Sequence, residues 1–303
     1  MKQVLVIGSA VVDVIINLDQ LPGRSQDVHV LSQTMSLGGC AYNTSDIIRH
    51  FKVPYIPFFP VGRGAYGDFV RTHLAARSIV SPLPTPDQEN GCCYCFVEAD
   101  GERTFVSYHG AEYRFKPDWF DLLDSSSIDM VYICGLEIEE STGEYIIQYL
   151  EAHPEFTVFF APGPRINIIT EERLKRLFAL SPILHLNEEE AIGYSGKENL
   201  KESAEFLYHL THNTVIITLG KEGSYYYDGT ESSIVAGVPA TQIDTIGAGD
   251  SHIGAIIACL AKGYSMPQAL SIANRISAAV VETNGALLSD EAFEALKLPV
   301  EVL

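Results

Sequence analysis

Positive charge is scarce in this 303-residue chain: 20 Lys and Arg stand against 39 Asp and Glu, a formal net charge of −19. A field of that sign repels polyphosphate and argues against nucleic acid as a partner. Any anionic ligand must then be held locally, by backbone N–H groups or a divalent metal. Long apolar runs are missing too, and no stretch reaches the ~18 uncharged residues that a membrane span needs. The opening run VLVIGSAVV (4–12) is cut by Asp13, and alternation resumes at Val14-Ile15-Ile16. It reads as a buried first strand rather than a signal peptide. The six cysteines (Cys40, Cys92, Cys93, Cys95, Cys134, Cys259) do not form the paired CxxC set of a zinc site. They read as reduced, buried thiols of a cytoplasmic protein. The phosphate-binding loop GxxxxGK(S/T) is also absent, because Gly196-Lys197 and Gly220-Lys221 are each followed by Glu. That excludes a P-loop enzyme.

What remains is an ordinary globular composition, 47% hydrophobic and 19% charged, long enough to bury a sizeable core without staples. Short apolar runs at 4–8, 55–61, 129–134, 157–160, 183–186 and 214–218 read as buried strands. Amphipathic helices are expected between them, at 41–51, 141–152, 170–180 and 200–212. Strands alternating with helices predict an α/β fold whose mostly parallel sheet is covered on both faces. Two pieces break this rhythm. One is the extended run 28–36; the other is CCYCFVEADGERTFVSYHG (92–110), which alternates on either side of Asp100-Gly101 as a hairpin does. These pieces predict a separate small sheet. Both faces of 92–97 are largely apolar, so each is expected to be covered, one by substrate and the other by a partner subunit.

The densest chemical signal is DTIGAGDSHIGAIIACLAKG (244–263), a glycine-rich turn running into an apolar helix. Free N–H groups at a helix start, aided by its dipole, make an anion site. A carboxylate there is paradoxical beside a phosphate unless it acts as a base. Asp250 could take a proton from a hydroxyl whose oxygen attacks phosphorus; an N-terminal cap is the alternative.

DTIGAGD closely resembles the second signature of the ribokinase (PfkB-type) carbohydrate kinase family, and further matches follow in the family's order. Gly8 and Asp13 resemble its opening, where the acid binds sugar hydroxyls. GGCAYN (38–43) resembles its sugar-binding loop, pointing to Gly38, Gly39 and Asn43. NEEE (187–190) fits its NxxE motif, in which Asn187 and Glu190 arrange Mg²⁺ and phosphates, the metal through water. TLGKEGS (218–224) resembles the nucleotide loop, with Thr218, Gly220 and Gly223, and Asn274 falls where the family lines the adenine pocket. The resemblance implies a ribokinase-like three-layer α/β/α domain over 1–303 with a discontinuous β lid near 14–36 and 91–110. It implies catalysis by Asp250 with Gly247, Ala248 and Gly249, using ATP and Mg²⁺. It also implies a K⁺ site at Asp244, the Ile246 carbonyl, Gly285 and Ser289, and a homodimer through the lid.

Polar strand ends, surface residues and ordinary loops are the plain alternatives for these positions. Asp13 is an exception, since an acid among buried strands needs a hydrogen-bonding role. Departures from the family pattern are visible. Gly64 in GRGAYG (62–67) stands where an acid is usual; that segment also matches a dinucleotide fingerprint, but the acid expected at the end of a second strand is missing. Ala161-Pro162-Gly163-Pro164-Arg165 replaces an acid-Pro-Asn-x-Arg run, leaving Arg165 as a substrate or phosphate contact. Segments 8–17 and 36–46 contain no Lys or Arg, and the lid offers Arg103, so an unphosphorylated sugar is expected. Ribose, fructose, a keto-deoxy acid or a nucleoside all remain open as acceptor, and a catalytically silent sugar sensor is the alternative from another class.

Overall fold

A computed structural model describes residues 2–299. Its strands are β1 (Gln3–Ile7), β2 (Val11–Asn17), β3 (Ser32–Gly38), β4 (Tyr55–Phe58), β5 (Cys92–Val97), β6 (Arg103–Tyr108), β7 (Ile128–Cys134), β8 (Thr157–Ala161), β9 (Ile183–Asn187), β10 (Val215–Thr218), β11 (Gly223–Tyr227) and β12 (Ser232–Ala236). The helices are α1 (Cys40–His50), α2 (Gly64–Ala76), α3 (Gly135–Glu139), α4 (Gly143–Glu151), α5 (Glu171–Ala179), α6 (Glu188–Ser195), α7 (Leu200–Thr211), α8 (Ala248–Ala261), α9 (Met266–Val281) and α10 (Asp290–Ala295).

The large sheet runs β12-β11-β10-β9-β8-β7-β1-β4. Pairing is parallel from β4 to β10 and antiparallel at β10–β11 and β11–β12. Its central strands are apolar at successive positions, which only a sheet covered on both faces satisfies. Val4 and Val6 of β1, Tyr132 of β7 and Ile216 of β10 face one way, into a cluster with α1, α8 and α9. Leu5 and Ile7, Val131 and Ile133, and Val215 and Ile217 face the other way, toward α4, α5 and α7. This is the three-layer arrangement expected. Parallel strands bring their C-terminal ends to one edge, where such sheets bind ligands. Cys134, Ala161, Asn187 and Thr218, at the ends of β7, β8, β9 and β10, all line one cavity there.

The small sheet runs β3-β2-β5-β6, with β2–β5 parallel and the outer pairs antiparallel. Its hairpin turns at Asp100-Gly101 as expected. Two boundaries differ. β2 begins at Val11, directly after the chain leaves β1, so Asp13 lies on the small sheet. Residues 27–31 are not strand, and β3 starts at Ser32. The far face of this sheet is also partly covered within the chain. Val12, Val14 and Ile16 are buried in the same cluster as Val70 and Leu74 of α2. The two edges of that face stay barer, with Val106 53% and Tyr108 61% exposed on β6 and Met35 46% exposed on β3. Among the described residues, no helix is long and apolar enough to cross a membrane.

Phe159 is fully buried in the middle of the three layers. Phe159→Ala is expected to cost about 3–5 kcal/mol through lost burial and a residual cavity, read as a lowered denaturation midpoint.

Candidate active site

The site is built on the first turn of α8. Gly247 caps it in the left-handed region (φ 74), and a Cβ there would fall 2.5 Å from the Ala286 Cβ, so this turn admits only glycine without strain. Around Gly249, by contrast, a Cβ would meet nothing within 4 Å, because its surface opens into the cavity. The N–H groups of Gly249 and Asp250 have no intrahelical carbonyl to reach. The Ala248 N–H is the exception, turning back to the Thr245 carbonyl at 3.3 Å.

Asp250 follows at the third position of α8. Its Oδ2 accepts from Asn43 Nδ2 at 2.9 Å, and its backbone carbonyl accepts from Thr44 Oγ1 at 3.3 Å. Burial pushes its carboxyl up to about 6, against the lowering effect of the hydrogen bonds from Asn43 and Cys40. Asp13 comes from the small sheet and is raised further, to about 7, by burial and then by the charge of Asp250. Both acids, with Gly39 and Asn43, line a cavity of ≈ 620 Å³ between the small sheet and the strand ends. Gly38 sits behind Asp13, where a Cβ would lie 1.9 Å from the carboxylate Oδ2; the missing side chain leaves room for the acid.

Asn187 and Glu190 form a reciprocal cap on α6. Asn187 Oδ1 accepts from the Glu190 N–H (2.8 Å), and Glu190 Oε2 accepts from the Asn187 N–H (3.0 Å). One Glu190 oxygen therefore stays free. Both residues line a ≈ 410 Å³ cavity with Asp250, Gly249 and Arg165. Among the described residues no cluster of His, Cys, Asp and Glu could hold a metal unaided. One free carboxylate oxygen beside an anion site nevertheless fits Mg²⁺, which keeps waters and takes its other ligands from phosphates. Arg165 points here too, tied to Glu139 by an ion pair of 3.0 Å.

A third cavity, ≈ 280 Å³, lies on the other side of the α8 start and is lined by Thr218, Gly220, Gly223 and Asn274. Asn274 is less available than expected. Its Nδ2 donates to the Val235 and Ala236 carbonyls (3.0 and 3.2 Å), and its Oδ1 lies 3.0 Å from His252 Nε2. His252 must donate there, so its Nδ1 accepts from His185 Nε2 at 2.9 Å. Burial holds His252 at about 4, hence neutral, and lowers His185 well below the usual histidine range. Asn274 thus shapes the wall while its amide is spent inside the protein.

The implied K⁺ site does not fit. Asp244 is 7% exposed and its Oδ1 is ion-paired with Arg103 of β6. The same carboxylate accepts the N–H groups of Ile246 (2.9 Å) and Gly285 (3.0 Å), and Ser289 Oγ caps α10 by accepting from the Ala292 N–H (3.1 Å). The dinucleotide-like GRGAYG is a packed loop. A Cβ at Gly67 would fall 2.1 Å from the Gly62 carbonyl oxygen, and at Gly62 2.4 Å from that of Gln88.

The model of the pfkB family carbohydrate kinases matches residues 1–292. The chain belongs to that family. It is an ATP-dependent phosphotransferase of the carbohydrate kinase type. It is 32% identical over 290 residues to an uncharacterized sugar kinase, YegV, of Escherichia coli, covering 94% of this chain and 90% of the relative. It is 25% identical to the ribokinase of Staphylococcus aureus, over 95% and 96% of the two chains. Among solved structures, ribokinase from Thermotoga maritima superposes with a TM-score of 0.82 at 19% identity, covering 98% and 99% of the chains. Adenosine kinase from Sinorhizobium meliloti does so at 0.84 and 20%, with the same coverage. These superpositions establish the ribokinase fold.

Sequence reasoning missed Cys40, Cys93 and Ser107, which line the ≈ 620 Å³ cavity together with Phe105, and His73 and Arg77, which reach it from α2 and its C-cap. Cys93 and Ser107 were within reach. Pairing about Asp100-Gly101 sets Cys93 opposite Ser107 and Cys95 opposite Phe105, on the face of Asp13. Nothing in the local sequence of α2 pointed to the cavity.

Gly247→Ala is expected to lose about 1–3 kcal/mol of stability, from strain at positive φ and the contact with Ala286. Urea unfolding should show the lower midpoint, and calorimetry should show weakened ATP binding.

Proposed function

We propose that this kinase transfers the γ-phosphoryl group of ATP to a hydroxyl of an unphosphorylated sugar, with Asp250 as the base. The observation that carries the reading is the position of the first turn of α8. Asp250 lines the acceptor cavity, Gly249 lines the ≈ 280 Å³ cavity taken as the ATP site, and both line the space between. Thr218, Gly220 and Gly223 bound the nucleotide, and Asn274 supports its pocket wall. Asp13 and Asn43 bind and orient the acceptor, with Gly38 and Gly39 letting the chain approach it.

In the reaction, Asp250 accepts the hydroxyl proton as the oxygen attacks the γ-phosphorus. The transition state of such transfers is loose, so little charge builds on the attacking oxygen and a carboxylate suffices. The N–H groups of the turn hold the charge of the transferred group, and Arg165 reaches the same space. The free oxygen of Glu190, with Asn187, would hold Mg²⁺ through water. Bound there with ATP, the metal would offset phosphate charge and fix the phosphates.

Charge supports an acceptor without phosphate. Of the side chains lining its cavity, Arg77 is already engaged by the Tyr42 hydroxyl and by Asp46 at 3.4 Å, while Asp13 and Asp250 are acids. A nucleoside is the second reading. The ≈ 620 Å³ cavity extends past the two acids to Met35, Leu37 and Leu287, apolar space that a base would fill. An ADP-release assay with Mg-ATP against ribose, fructose, keto-deoxy acids, nucleosides and sugar phosphates separates the two. Silence across the panel with ATP binding intact would support a sensor instead.

A base with its pKa near 6 is protonated and idle below that pH. Activity should therefore climb through an acid limb between about pH 6 and 7, shared by the Asp13–Asp250 pair. Asp250→Asn should keep ATP binding and cut kcat by ~10²-fold or more; activity within about threefold of wild type would remove the base role.

We take 1–303 as one kinase domain whose lid is the small sheet of 11–38 and 92–108, in a cytoplasmic protein whose six cysteines are free. We also take it as a homodimer, formed where Val106 and Tyr108 are bare. Sedimentation equilibrium should show a dimer that Val106→Asp dissociates.

A further inference from the structure

We propose that the Arg103 guanidinium takes the place of a monovalent cation at Asp244, latching the small sheet onto the anion-binding turn and making the kinase independent of K⁺. This rests on the reading of residues 247–250 as the anion site.

The strand register delivers Arg103 to this position. β5 and β6 pair Cys93 with Ser107, Cys95 with Phe105 and Val97 with Arg103, so Arg103 shares the face that covers the acceptor cavity. Its place next to the hairpin turn lets it reach across to the chain ahead of α8. There it meets Asp244, three residues before Gly247. The ion pair joins two separate sheets' territories: Arg103 belongs to the small sheet, Asp244 to the connection between β12 and α8.

Asp244 also fixes the turn that follows it. It accepts from the N–H of Ile246 and, across the chain, from that of Gly285. Its carboxylate is thus a hub between the lid, the start of the anion site and the loop 282–289. A buried carboxylate of this kind needs a positive partner, since removing one member of a buried pair leaves an uncompensated charge. Arg103 supplies that charge from within the chain. A second cation on the same carboxylate would sit against the guanidinium in a poorly screened site, where like charges repel strongly. Arg103 is therefore a positioning residue. It acts on the transferred phosphoryl group through Asp244 and the turn, not by contact.

The test uses the full chain as wild type, Arg103→Ala and Arg103→Lys. Crystals of each are soaked in rubidium chloride, and anomalous scattering beside Asp244 is measured; this arm needs no acceptor and decides the proposal even if no kinase activity is found. Wild type and Arg103→Lys should show no rubidium peak, whereas Arg103→Ala should show one. With Mg-ATP and whichever acceptor the panel identifies, wild-type rates in KCl and tetramethylammonium chloride should agree within about twofold, and Arg103→Ala should gain at least ~fivefold from K⁺. A mere packing role for Arg103 would lower stability without creating this ion dependence. Rubidium on Asp244 in wild type, or fivefold K⁺ stimulation of wild type, overturns the proposal. So does an Arg103→Ala variant that is folded but shows neither a peak nor a K⁺ response.

Discussion

The hydrogen bond from Asn43 to Asp250 spans 207 residues of chain, and the architecture of this kinase is what makes it possible. It requires the start of α8 to lie against α1. That approach is close: a Cβ on Gly254 of α8 would fall 2.7 Å from the Thr44 carbonyl oxygen in α1. The two helices share one apolar cluster with the sheet face of Val4, Val6 and Tyr132. A carboxylate can be kept there, half out of water and near neutral pKa, because the helix end and one amide hold its charged form while burial opposes it.

The same packing solves the problem set by a net charge of −19. The global field disfavours a polyanion, but fields fall off within about a Debye length, and local donors act at contact. In the proposed reaction, backbone N–H groups at one helix end therefore do what surface lysines do elsewhere. They also carry no side chain that could move, which suits a reaction whose barrier is lowered chiefly by positioning.

The small sheet links the ≈ 620 Å³ cavity to the chain ahead of α8. Asp13 reaches the acceptor cavity from β2, Phe105 and Ser107 cover it from β6, and Arg103 of the same strand reaches Asp244 ahead of the anion-binding turn. One face, set by strict two-residue alternation, thus serves both ends of the proposed reaction. Its opposite face is held by α2 through Val70 and Leu74, so the sheet is anchored to the core rather than free.

Much of this was legible in the sequence, because it rests on local rules. Doubly apolar strand runs, the Asp-Gly hairpin and the GAGD turn each dictate structure within a few residues, and so foretold the layers, the separate sheet and the helix end. The NxxE pair was legible only as a motif; that its two members cap α6 reciprocally and leave one Glu190 oxygen free is seen in the fold alone. What local rules could not supply was partnership between distant segments. That Asn274 spends its amide on His252 and two carbonyls, that α2 covers the far face of the small sheet, and that Arg77 is drawn off by Asp46 depend on which surfaces meet. Asp244 shows the division most clearly. Chain order alone places an acid ahead of the glycine-rich turn; which positive charge answers it comes from the fold, because a carboxylate's partner is set by distances through space and not along the chain.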